Sequence, residues 1–175
     1  MKKIILFSLF ALLSFSAFSQ TDTYEAENEG WLVDMDEAFA ESEKTGKPIL
    51  ANFTGSDWCG WCKRLTASVF SKKEFQTWAK DNVVLLELDF PKRKQLPEKY
   101  QKQNAQLRNA FKVGGYPTIW VFNLRKDEKG NFSIEGLGKT GYTKTAKKFT
   151  TDVDQMIARG KKNETKEGEG EGEGK

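Results

Sequence analysis

Trp58-Cys59-Gly60-Trp61-Cys62-Lys63 holds both cysteines of this 175-residue chain, two residues apart. The apolar run Pro48-Ile49-Leu50-Ala51-Asn52-Phe53 precedes it and reads as a buried strand to about Thr54. Lys63-Arg64-Leu65-Thr66-Ala67-Ser68-Val69 follows and suits a helix. A Cys-x-x-Cys pair where a strand gives way to a helix is a redox motif. Unpaired backbone N–H groups and the helix dipole at that point favour a thiolate on Cys59. Cys62 lies one turn further in, within reach of a mixed disulfide formed on Cys59.

The ends of the chain are expected to stand apart from the fold. Met1-Lys2-Lys3 is a short basic start, and Ile4 to Leu13 is apolar apart from Ser8. Ala17-Phe18-Ser19 fits a small-x-small cleavage site, so 1–19 reads as a secretory signal. It is shorter than the roughly 20 apolar residues of a membrane span, and no later segment is apolar enough to span. Residues 20–30 are polar and acidic, a flexible lead-in. Residues 161–175 are lysine, glutamate and glycine with little else, a tail expected to be disordered. The 130 residues of 31–160 suit one domain.

Charge excludes some partners. The formal net charge of +3 includes Lys2 and Lys3. Without them, 26 basic and 25 acidic residues leave about +1, which makes no case for nucleic acid or an acidic membrane. The chain has no histidine, which removes Cys-His proteolysis, His acid–base catalysis and most transition-metal sites. A zinc or copper site would need ligands beyond two thiolates, since structural zinc takes four, and a dimer would have to supply them. No metal or cofactor is expected, and the chain is expected to be a monomer. Nor does the pair suit a structural disulfide, which constrains the unfolded chain more when it closes a longer loop.

Helix and strand signals order the rest. Asp34 with Glu37 forms a capping box, with Leu32, Met35 and Phe39 at helical spacing and a stop at Gly46. Ser71 with Glu74 reads as a second box, so the helix after Cys62 breaks near Phe70 and restarts. Val83 to Asp89 is apolar enough for a central strand covered on both faces. Phe90 to Pro97 reads as a solvated basic loop, with docking of acidic partners as the alternative. A helix from Glu98 carries Leu107, Ala110 and Phe111 and ends at Gly114-Gly115. Strands follow at Pro117–Phe122 and from Phe132 through Ile134 towards Leu137, joined by a charged turn. Thr143 or Thr145 caps a last helix bearing Phe149, Val153, Met156 and Ile157. The order α, β, α, β, α, β, β, α implies an α/β fold, a mixed sheet with helices on both faces.

That order, with Trp-Cys-x-x-Cys-Lys after the first clear strand and Gly-Tyr-Pro-Thr before the third, resembles the thioredoxin family over roughly 31–160. The stretch Phe53 to Lys63 is most similar to exported thiol–disulfide oxidoreductases of that kind. The resemblance implies a thioredoxin fold, with Cys59 as exposed nucleophile and Cys62 as buried resolving thiol. It makes Pro117 a cis-proline whose turn brings the Tyr116 backbone beside Cys59 to pair with a substrate peptide. Trp58, Gly60 and Trp61 would flank that substrate. The partners implied are protein or peptide disulfides and a separate redox protein, in the periplasm or outside the cell. With no histidine between the cysteines, a reductase or isomerase is favoured over a strong oxidant. A redox-inert binding module on the same fold is the alternative.

There are three departures from the family pattern. One extra residue lies between Phe53 and Trp58. Asn52 stands where the family has a buried acid, and Leu85 where it has that acid's lysine partner. The segment Phe90–Asn104 is long. The second departure leaves the proton acceptor of Cys62 open. Glu87 is one candidate, and a purely structural or strand-edge carboxylate is the other reading. Trp31, Trp78 and Trp120 are expected to pack, and Trp61 to lie on the surface.

Overall fold

The run Ile49-Leu50-Ala51-Asn52-Phe53-Thr54 is buried at every position, and it forms strand β1 (Ile49–Thr54) in the computed structural model. The structure describes residues 24–126, 129 and 132–170, with side chains to 162. The leader expected at 1–19, residues 20–23, most of the charged turn and residues 171–175 lie outside the described residues.

β1 pairs in parallel with β2 (Val84–Asp89) and antiparallel with β3 (Thr118–Lys126), which pairs antiparallel with β4 (Phe132–Thr140). The sheet order is β2-β1-β3-β4. A strand buried on both faces has no polar side to show, which is why β1 and β2 read as mainly apolar runs, interrupted by buried Asn52, Thr54, Glu87 and Asp89. Leu50 and Leu85 pack on one face with α2 (Gly60–Leu65), α3 (Lys73–Asn82) and α5 (Ala146–Gly170), through Leu65, Phe75, Phe149 and Val153. Ile49, Ala51, Phe53, Leu86 and Leu88 pack on the other with α1 (Met35–Thr45) and α4 (Glu98–Ala110), through Ala38 and Phe111 just past its end. The expected element order and two-faced mixed sheet are therefore present.

Several local expectations are corrected. β2 is an edge strand rather than a central one. It is buried because the chain before α1 covers its outer side: the Leu32 N–H donates to the Leu85 carbonyl (2.9 Å) and the Glu87 N–H to that of Leu32 (2.8 Å). The Ser71 capping box does not form. Residues Thr66–Phe70 are a π-helical turn, and the Ser71 hydroxyl turns back to the Thr66 carbonyl (3.0 Å), leaving Lys72 as an N-cap with no side-chain bond. The Asp34 box holds in part, its carboxylate accepting from the N–H groups of Asp36 and Glu37. α4 ends at Ala110, ahead of the expected glycines, and Lys112 takes a left-handed φ of 50°. Thr145, rather than Thr143, caps α5 through the Lys148 N–H. Helical backbone in α5 continues to Gly170, past the expected start of the tail at Lys161. Extending a helix that already exists costs far less than nucleating one.

The expected flexible lead-in is held down from residue 24 onward. Glu87 is fully buried on β2. Its carboxylate accepts the Glu27 N–H (2.7 Å) and the Asn28 side-chain amide. A buried carboxylate needs such donors, and the lead-in supplies them. Burial still dominates and holds the Glu87 carboxyl above its ordinary value, with those two hydrogen bonds pulling the other way.

The folded chain binds this proton more tightly than the unfolded chain. The contribution of Glu87 to stability is therefore full below the unfolded value near 4.5 and is lost as pH rises through the folded one. Glu87→Gln, neutral throughout, should raise the urea midpoint relative to the parent at pH 7, and the gain should vanish below pH 4.5. An equal effect at both pH values would contradict this.

Candidate active site

β1 delivers the chain into the turn Gly55–Trp58, where the Cys59 N–H donates to the Gly55 carbonyl (2.8 Å). α2 starts at the next residue, with Cys59 as its N-cap in extended geometry. The Cys62 N–H donates to Cys59 Sγ at 3.2 Å. Sulfur thus takes the place that a serine or aspartate oxygen takes at most helix starts. A thiolate there keeps that donor and gains from the helix dipole. Cys59 and Cys62 are joined as a disulfide, with Cα atoms 5.3 Å apart. In this state Cys59 is 5% exposed and Cys62 4%, so the expected contrast between an open and a buried sulfur is absent. Bonded to each other, the two sulfurs share one cover, and the helix cap rather than exposure distinguishes them.

Two aromatic side chains flank the pair. Trp58 lies over Gly55, where a Cβ would come within 2.6 Å of the indole, so glycine is the residue that admits it. The Trp58 indole N–H donates to the Phe90 carbonyl (2.8 Å). The Tyr116 ring meets Trp58 edge-on at 5.8 Å, and the Tyr116–Pro117 peptide bond is cis. On the other side Trp61 is 53% exposed, as expected, and tilts against Tyr142 at 5.0 Å. Lys92 Nζ sits 4.0 Å from the Trp58 ring centre and the Arg64 guanidinium 4.6 Å from that of Trp61. The fold therefore gathers Trp58, Cys59, Gly60, Trp61 and Cys62 with the Tyr116–Pro117 turn, which reaches them through the Trp58 ring.

What holds this turn in place is not evident from the sequence. The Asp57 carboxylate accepts the backbone N–H groups of Lys92 (3.0 Å), Arg93 (2.6 Å) and Lys94 (3.3 Å). Desolvation pushes the Asp57 carboxyl up, but these three donors outweigh it and hold the group below its ordinary value. Ser56 donates its N–H (2.8 Å) and hydroxyl (2.6 Å) to buried Asp89. Lys94 Nζ approaches the same carboxylate at 3.3 Å and pairs also with Glu27. The basic loop is thus tied down rather than merely solvated, and the extra residue before Trp58 belongs to the turn that ties it. An aspartate just ahead of the motif was a usable signal. Tyr142 had none, because a contact made across the fold leaves no local pattern.

Asn52 is buried, and its Oδ1 has no hydrogen-bond partner among the described residues. It faces Glu87 in the strand register. Both Glu87 oxygens are engaged by the lead-in, which favours the structural reading of that carboxylate. Trp31 packs in the core, and Trp78 and Trp120 are partly buried against the two apolar clusters, as expected. Among the described residues no group of histidine, cysteine, aspartate or glutamate is arranged to hold a metal ion, and no helix is long and apolar enough to cross a membrane.

Residues 30–123 match the model of a family described as thioredoxin-like. The chain is 30% identical over 128 residues to the disulfide bond reductase DsbH of Chlamydia pneumoniae, covering 73% of this chain and 76% of that protein. A solved structure of a DsbH oxidoreductase matches with a TM-score of 0.63 at 28% identity, over 76% of this chain and 87% of that one. A thioredoxin from Thermus thermophilus shares the fold at 16% identity, with a TM-score of 0.53 over 73% of this chain and 87% of its own.

The Asp57 anchor is testable by itself. Asp57→Ala should speed hydrogen exchange at the amides of Lys92, Arg93 and Lys94 while the β1 amides stay protected. Unchanged exchange in the loop would show that it is held by something else.

Proposed function

Because the chain belongs to the thioredoxin-like family, we propose that its thiol–disulfide exchange serves to reduce or isomerise disulfides in exported proteins. The fold, the Cys-x-x-Cys pair and the relatives make it a thiol–disulfide oxidoreductase. The observation that carries the mechanism is the Cys59 sulfur acting as the cap of α2.

The cycle begins with the pair reduced. The Cys59 thiolate attacks one sulfur of a substrate disulfide, and the other substrate sulfur leaves as a thiolate and takes up a proton. Cys62, deprotonated in turn, attacks Cys59 Sγ in the mixed disulfide. The second substrate sulfur leaves, and Cys59–Cys62 is oxidised. Two electrons have passed to the substrate, and a separate redox protein must return them. On this reading Trp58, Gly60 and Trp61 flank the incoming peptide, and the backbone at Tyr116–Pro117 pairs with an extended strand of it.

The reductive direction is supported by the reductase DsbH, to which the chain is similar. Export is supported by the basic start, apolar run and small-residue site of 1–19, which point to the periplasm or the cell exterior. A monomer is sufficient for this chemistry, since both cysteines come from one chain.

Cys62→Ala should accumulate mixed disulfides on Cys59 that mass spectrometry identifies. Cys59→Ser should abolish insulin reduction. Full activity in Cys59→Ser, or trapping that occurs without Cys59, would overturn the proposal in favour of a binding module with incidental thiols.

A further inference from the structure

The residues around the disulfide are one-sided in charge. The stretches 55–64 and 90–96 carry Lys63, Arg64, Lys92, Arg93 and Lys94 against the single acid Asp57. That carboxylate is held by the three loop N–H groups, and its one negative charge leaves the two stretches with an excess of basic residues. Lys94 is neutralised by Glu27 and Asp89. Lys63, Arg64, Lys92 and Arg93 are exposed. The turn 114–118, on the remaining side, contributes no charge.

These cations are not distributed at random. Lys92 lies over Trp58 and Arg64 over Trp61, so the residue just before each cysteine carries a cation–aromatic stack. Lys63 Nζ donates to the Asp57 carbonyl (3.2 Å). Stacking on a ring and a tethered loop reduce the freedom that a lysine or arginine otherwise loses on binding. The chain as a whole is close to neutral without its leader, so this is a local field rather than a general one.

On the reading above, that the pair reduces protein disulfides, we infer that this rim selects cystines flanked by aspartate or glutamate. The occupant is an extended acidic segment of a substrate protein, its carboxylates meeting Lys92 on the Trp58 side and Arg64 on the Trp61 side while Cys59 attacks the sulfur between them. Complementary charge of this kind acts mainly on the rate of productive encounter and on the choice of partner. Salt weakens it, because the screening length falls from roughly 30 Å at 0.01 M to about 3 Å at 1 M.

The experiment uses the full chain, reduced with dithiothreitol that is then removed. It is mixed with an excess of either of two cystine peptides identical except for glutamates or lysines beside each cysteine. Acid quenching and chromatography give the rate of peptide-thiol formation. The glutamate peptide should react faster by about fivefold to tenfold at low ionic strength, and the difference should collapse in 1 M salt. Arg64→Glu/Lys92→Glu should reverse the preference. Lys44→Glu/Lys80→Glu changes net charge equally, but Lys44 and Lys80 lie in the last turns of α1 and α3, before β1 and β2 rather than after them, and the variant should leave the preference unchanged. Equal rates for the two peptides in the parent chain would overturn the inference and leave the reductase reading standing. A preference that persists in the double variant would likewise overturn it, since the selecting charge would lie elsewhere. Reduction of neither peptide would overturn both together.

Discussion

One backbone N–H, that of Cys62, is directed at one sulfur, that of Cys59, and the architecture depends on keeping them in register. Such a cap forms only if the chain arrives extended at Cys59 and turns helical at Gly60. β1 ensures the arrival. It is buried at all six positions, so its register is fixed by two apolar layers at once and cannot slip without exposing one of them. The helix that follows is anchored beneath by Leu65 and Val69 in the core. Strand and helix thus hold the sulfur by packing at both ends, and the chemistry sits at the turn between them.

The turn itself has little core to lean on, and a second set of constraints compensates. Asp57 and Asp89 reach in opposite directions from neighbouring segments. The first gathers the N–H groups of the loop after β2, and the second gathers Ser56. Each donor bound to a carboxylate is worth more than one bound to a neutral acceptor. The Trp58 indole closes the same arrangement by bonding to Phe90 over the bare backbone of Gly55. The loop after β2 is therefore part of the active site's frame, although it bears no chemistry. A site held this way presents its aromatic and cationic rim in a defined place, which a mobile loop could not.

Much of this was legible in the chain, for identifiable reasons. β1 and β2 announced themselves because burial on both faces forces an apolar run. The Cys59–Cys62 spacing at a strand-to-helix change marked the redox pair, and Pro117 after Tyr116 marked the cis peptide bond. Features whose deciding contact lies far away along the chain were not legible. Val84–Asp89 looked like a central strand, yet it is an edge whose cover comes from Leu32, more than fifty residues earlier. Ser71 looked like a cap, but a π-helical turn ahead of it took its hydroxyl. The lead-in looked flexible because nothing local says that Glu87 requires the Glu27 N–H and the Asn28 amide. Tyr142 belongs to the same class. Local patterns carry propensity, and partners separated by tens of residues leave no trace in them.

The central claim is that the α2 cap makes Cys59 an ionised attacker at neutral pH. The direct measurement is the rate of iodoacetamide alkylation of Cys59 against pH in the fully reduced chain, read by mass spectrometry at that residue. The account predicts a midpoint clearly below the free-thiol value of about 8.5, with Cys62 reacting far more slowly across the same range. A Cys59 midpoint at or above that value, or faster alkylation of Cys62, would contradict it.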